Sequence, residues 1–278
     1  MGKLNEYKKI SDKKQYFQNG DIKVVINIDR IFDELDKLHK NGDFIFRGCS
    51  EAKYKLYNSA QRFYINNELY RQVKKEEVTV HYDFFVESLI EECKSWNNST
   101  VKSLLKASSI NEENSLAYLS YMQHFGVPTP FLDFTFNPYL ALFFAIENVS
   151  YVASDTEIDN YFSIYYTYQN ATIFEGWKHV FDTKGQDLGK GKISYTEVNR
   201  NSMHILLPET ESYKILNNTN IINQEGLFFY NNHPFKTLEE HYLEFSKAIK
   251  KQLGEQKFKE MLMLDTFANC FNIHKSLI

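Results

Sequence analysis

Residues 121–148 read Y-M-Q-H-F-G-V-P-T-P-F-L-D-F-T-F-N-P-Y-L-A-L-F-F-A-I-E-N, and they constrain the fold more than any other stretch. A helix arriving at Met122–Phe125 is stopped by Gly126, which accepts the left-handed conformation of a C-cap. Pro128 and Pro130 forbid helix and hold their neighbours extended. Phe131 to Thr135 then reads as a short strand or extended loop. Asn137 offers an N-cap and Pro138 the favoured first helical position. Ala141 and Ala145, one turn apart on the helix that follows, let another backbone come close. Gln123, His124, Asp133 and Thr135 are polar positions at junctions of this apolar stretch, so they are either structural caps or site residues.

The remainder reads as alternating helices and strands. Ile22, Val24 and Ile26 suggest a strand over 21–28, and Ile31, Leu35 and Leu38 recur at helical spacing from Asp29 to Lys40, closed by Asn41-Gly42. Asp43 to Arg47 is apolar on both faces, as an internal strand requires. Helices are predicted over 79–96 and 101–107, and a further one runs into the central stretch, opened by the capping-box pair Ser109 and Glu112. Later strands are predicted at 161–168, 203–207 and 226–230, with an exposed excursion over 176–201. Thr237 to Leu253 reads as a helix stopped by Gly254, and a last helix carries Phe258 and Leu262 towards the end of the sequence. The expected architecture is α+β, a mixed or antiparallel sheet flanked by helices. Residues 1–20 are polar and Lys-rich and read as a loosely held arm before one domain over 21–278.

Composition excludes several classes of function. At 43% hydrophobic, with 23 Phe and 19 Tyr, the chain can fill a ring-rich core. A net charge of -4 carries no basic excess of the kind that advertises nucleic-acid binding. Cys49, Cys93 and Cys270 lie far apart in no metal-ligand or CxxC spacing, which suits a reducing compartment. The eight histidines share no metal spacing, and HExxH, GxSxG and GxGxxG are all missing, so no metal is expected. M-G-K-L-N-E-Y-K-K has no apolar run, Glu6 breaks a myristoylation pattern, and nothing approaches transmembrane length. A cytoplasmic protein with no membrane partner is expected.

Arg47 is the leading candidate for chemistry. An arginine issuing from an apolar strand needs an anion or an acceptor. Its planar fork suits phosphate or carboxylate, unless it ties strand to loop through backbone carbonyls. Gly48 beside it allows close approach of a ligand. Asp133 and Thr135 either cap the helix after Asn137 or contribute to a site. Gln123 and His124 either satisfy a helix C-terminus or join that site, with His124 cationic there or buried and neutral against Asp133. Gln224 and Glu225 open a late strand, either as a turn with Gly226 at positive φ or as polar groups aimed into a cleft. These three motifs are expected to converge on one concave site.

The motif Q-H-F-G-V-P-T-P-F-L-D-F-T-x-N-P-x-x-A-L-x-F-A, the tripeptide Phe46-Arg47-Gly48 and the late segment Asn223-Gln224-Glu225-Gly226-Leu227-Phe228 together resemble the FRG-domain family. Their order is similar, at the level of plan, to ADP-ribosyltransferases of the R-S-E kind. That resemblance implies an enzyme with NAD as substrate, a nucleotide ligand and a protein or nucleic-acid acceptor, acting as a bacterial toxin or defence effector. Arg47 would hold a phosphate or ribose, Thr135 would take the Ser/Thr place, and Glu225 or Gln224 the acidic place. The S-T-S triplet is missing, since the chain reads Leu132-Asp133-Phe134-Thr135. The alternative it leaves is an FRG module that binds a ligand or protein and does no chemistry.

Overall fold

Gly42 closes the first helix, as its position predicts, and Asn27, read as part of a strand over 21–28, caps its start. In the computed structural model, which describes residues 2–17, 23–25, 27–95, 99–147, 149, 151–168, 203–206, 221, 223–260 and 268–278, helix α1 is Ile28–Asn41. The Asn27 side chain accepts from the Asp29 N–H, and Gly42 takes φ 72° at the C-cap. The strand that follows, β2 (Phe44–Cys49), matches the expectation and runs two residues further. Asn58 and Gln61 form a reciprocal capping box on α2 (Ser59–Asn66), in a stretch whose polar and aromatic residues gave no clear period. Helices α3 (Val78–Ser95), α4 (Ser99–Ala107) and α5 (Ser115–His124) follow close to their expected places. The cap of α5 differs: Asn114, rather than the Ser109–Glu112 pair, accepts from the Leu116 and Ala117 N–H groups. Ser109 instead sits at φ 54°, just past the end of α4.

The central stretch folds as read. Gly126 has φ 73°, β3 is Phe131–Thr135, and α6 (Pro138–Ile146) starts with proline in its first turn. The Asn137 carboxamide oxygen accepts from Tyr139 N at 3.0 Å and Leu140 N at 3.4 Å. Asn137→Ala should therefore cost about 1 kcal/mol, read as a lowered urea midpoint with an unchanged slope; no shift would mean that Pro138 alone sets the helix start.

The chain forms two compact units built from interleaved stretches: Met1–Leu4, Tyr57–Leu132 and Phe174–Thr237 in one, and Asn5–Leu56, Asp133–Ile173 and Leu238–Ile278 in the other. The first is helical and packs α2, α3, α4 and α5 around Tyr64, Tyr82, Ile90 and Leu119. It also holds the antiparallel pair β5 (Met203–Leu206) and β6 (Gly226–Asn231). The excursion predicted over 176–201 lies outside the described residues.

The second unit is built on a sheet of mixed sense, which fits the expected α+β class. Strand β4 (Tyr161–Tyr168) pairs antiparallel with β2 on one side and with β7 (Asn269–His274) on the other. Beyond β7 lies the parallel strand β1 (Lys23–Val25), and on the other flank Thr135 of β3 stands opposite Phe46. Helices α7 (Leu238–Leu253) and α8 (Glu255–Glu260) complete the unit, with Gly254 between them at φ 82°. The last expected helix runs from Phe258 and Leu262 towards the end of the sequence, but residues 269–274 are not helical. They form a strand because Phe271 and Ile273 alternate with Cys270 and Asn272, and that period satisfies both faces.

The two faces of this sheet differ in chemistry. Phe44 and Phe46, with Phe162, Ile164, Tyr166, Phe271 and Ile273, form an apolar layer with Ile31 and Leu35 of α1 and Ala141 and Ala145 of α6. The alternating positions are Ile45, Arg47 and Cys49 opposite Thr167, Tyr165 and Ser163, with Cys270 and Asn272 beyond them. Residues 5–17 belong to this polar side. Read from composition as part of a loosely held arm, they are packed here, with Tyr7, Ile10, Lys13 and Phe17 buried. Tyrosine, isoleucine and phenylalanine spaced along the segment supply the apolar anchorage that its lysines conceal in a composition count.

Candidate functional site

Arg47 leaves β2 on the polar face of the sheet, opposite Tyr165. Its Nη1 donates to the Asp133 carbonyl oxygen at 2.5 Å, and the Asp133 carboxylate stands 4.0 Å from the same nitrogen. Its Nε is buried with no hydrogen-bond partner. The Arg47 side chain retains 18% of its exposure and that of Asp133 58%, so the pair sits at the edge of solvent rather than in the core. A guanidinium in this state is fixed in place by one neutral acceptor and keeps donor capacity for an anion.

The neighbouring expected residues take structural roles as well. Thr135 is buried, and its hydroxyl accepts from the Asn137 N–H at 3.0 Å, shaping the turn into α6. Gly48 does permit close approach, but the approaching group is α6. A Cβ on Gly48 would stand 2.0 Å from the Ala141 carbonyl oxygen and 2.8 Å from the Ala145 nitrogen. The tripeptide glycine and the two alanines one turn apart are thus halves of a single helix-on-strand contact, which leaves no room there for a ligand.

The structure brings Arg47, Gly48, Asp133 and Thr135 together in one unit, with Arg47 and Asp133 meeting across 86 positions of sequence. Gln123, His124, Gln224 and Glu225 belong to the other unit. There the Gln123 carboxamide oxygen accepts from the Thr129 hydroxyl, tying the end of α5 to the proline turn. His124 is exposed at the last residue of α5, in ring contact with Phe125 at 5.0 Å, and so is not buried as the alternative reading has it. Gln224 is half-buried and Glu225 exposed. The left-handed residue of that turn is Glu225, at φ 46°, rather than Gly226. A non-glycine residue there carries backbone strain of about 1 kcal/mol or more.

Residues 42–153 match the family model of the FRG domain. No curated protein and no solved structure matches the chain. The FRG match takes in β2, α2 to α6, Arg47, Gly48 and the whole Gln123–Thr135 segment. It stops short of Gln224 and Glu225, of residues 5–17, and of β4, which pairs with the strand of Arg47. Among the described residues no helix is long and apolar enough to cross a membrane, and no three His, Cys, Asp or Glu side chains gather as a metal site.

The sequence reading missed Lys13 and Tyr165. Both are wholly buried on the polar face of the sheet, and nothing in a polar N-terminal run or an aromatic-rich strand marks them out.

Proposed function

We propose that this FRG-domain chain is a nucleotide-directed transferase of the ADP-ribosyltransferase kind, acting on NAD in the cytoplasm, with Arg47 holding a phosphate of the substrate. The observation that supports this reading is the Arg47 guanidinium, anchored on the Asp133 carbonyl with a buried Nε lacking a partner. An anion is the partner such a group takes most readily, and phosphate oxygens match its fork. In the proposed reaction the ribose–nicotinamide bond breaks and nicotinamide leaves with the electron pair. A nucleophile of a protein or nucleic-acid acceptor then bonds to the ribose carbon and loses its proton. The transition state resembles an oxocarbenium ion, which a carboxylate stabilises; Asp133, whose carboxylate stands 4.0 Å from Arg47 in the same unit, is the proposed carboxylate.

The test joins binding to turnover. NAD should raise the melting temperature of the native protein, since it binds the folded state. Asp133→Asn should keep that shift and lower nicotinamide release by about 10²–10³-fold, the usual loss when a transition-state charge partner is removed. Unchanged release from Asp133→Asn would discard Asp133 as the carboxylate. A second reading, a ligand-binding module that does no chemistry, is favoured by the buried Thr135 hydroxyl, already engaged by Asn137. NAD binding without release by the unaltered protein selects it.

A further inference from the structure

Lys13 is the most fully buried cation described in the molecule, with 0% exposure. Its Nζ donates to Ser163 Oγ at 2.8 Å, Asn272 Oδ1 at 2.8 Å and Tyr165 Oη at 3.0 Å, and lies 3.7 Å from Cys270 Sγ. The rings of Tyr165 and Tyr7 stand 4.9 Å and 5.5 Å away. All of these partners are neutral, and among the described residues no carboxylate forms an ion pair with this amine. The segment that carries Lys13 is otherwise held at its two ends. Tyr7 N donates to Lys53 O at 2.9 Å and Tyr7 Oη to Glu239 at 2.7 Å, while Phe17 bridges to Ala268 and packs on Tyr165 at 5.2 Å.

We infer that residues 5–17 form a strap over the polar face of the sheet, latched by Lys13 and loosened by protons. A buried ammonium gives up its hydration, and neutral acceptors return only part of it. The same amine without its proton keeps the geometry and loses that penalty. Burial accordingly lowers the Lys13 pKa from the ordinary lysine value; the opposing pulls of Cys270, Cys49 and Glu239 are weaker. The groups facing Lys13 are Tyr7 on its own segment, Cys49 on β2, Tyr165 on β4, Cys270 on β7 and Glu239 on α7, with the Lys55 amine 5.2 Å from the Tyr7 ring centre. Burial drives Tyr7, Tyr165 and Cys270 upward, so these stay protonated while Lys13 changes charge. The docked value lies below the free value. The strap's docking is therefore complete above the ordinary lysine range and weakens as pH falls towards the docked value, by up to about tenfold per pH unit within that window.

Strap opening uncovers Ser163, Tyr165, Asn272 and Cys270, and the Cys270 thiol is the reporter. Alkylation of Cys270 by iodoacetamide, resolved from Cys49 and Cys93 by peptide mass mapping, is to be followed in the full chain and in Lys13→Met from about pH 10 down to about pH 6. Taking the ratio of the two rates at each pH removes the intrinsic pH dependence of thiol attack. The ratio should rise as pH falls, because methionine fills the same space without a proton to bind. A flat or falling ratio overturns the inference. A second measurement needs no variant: titration of the ¹⁵Nζ resonances should show one lysine titrating below the others. A Lys13 signal that titrates with the exposed lysines overturns it equally. Neither outcome depends on NAD binding, so the strap stands or falls apart from the proposed activity.

Discussion

Replacing Gly48 by alanine should leave a chain that does not reach its native state. The added methyl would stand 2.0 Å from the Ala141 carbonyl oxygen and 2.8 Å from the Ala145 nitrogen, and both atoms are backbone, so neither can swing aside. Helix α6 would have to lift from β2 and uncover Phe44 and Phe46. Overpacking costs roughly 1–3 kcal/mol when side chains can adjust. Here they cannot, and the loss should exceed that range, against a total stability of about 5–15 kcal/mol. Gly126→Ala is the control: nothing lies within 4 Å of the added carbon, and only the φ of 73° is strained. It should cost about 1 kcal/mol, a fall in melting temperature of about 2–4 °C. Thermal unfolding of both variants decides; a Gly48→Ala protein that melts with Gly126→Ala would mean that α6 is not seated on β2 as described.

Arg47→Lys should harm ligand binding almost as much as Arg47→Ala. Lysine keeps the charge but loses the fork that reaches the Asp133 carbonyl and an anion together. The expected loss is about 2–5 kcal/mol of binding, well over tenfold in NAD affinity. Apo stability should change far less, by about 1 kcal/mol, since the side chain makes one hydrogen bond to the protein and buries an Nε that gains none. Melting without ligand and NAD titration, run on both variants, separate the roles. A collapse in apo stability with affinity per folded molecule intact would make Arg47 a purely structural residue.

What could be read from the sequence was local. Asn137 and Pro138 announce α6, Gly42 and Gly254 end their helices, and the spacing of Ile31 and Leu35 marks the buried face of α1, because each signal lies within one or two turns of the element it specifies. Arg47 and Asp133 also stood out, as charges in apolar surroundings. What escaped depends on distant partners. Strand β7 is a strand because β4 and β1 flank it, and its asparagines and cysteine have weak strand preference of their own. Lys13 looks like any exposed lysine until the sheet supplies three acceptors. Gly48 is read as room for a ligand until α6 fills the space.

The interleaving of the two units has a consequence for synthesis. The unit that holds Arg47 draws on Asn5–Leu56, then Asp133–Ile173, then Leu238–Ile278, so its sheet cannot close while the ribosome is still making residue 260. Until β7 emerges, β4 and β1 both lack the strand that they pair with here, a state open to wrong pairing. Contacts that span most of the chain also slow folding. The segment 42–153 that matches the FRG family model is therefore not a module that can be cut out: expressed alone it has β2 but neither β4 nor β7, and a search for its ligand has to begin with the longer chain.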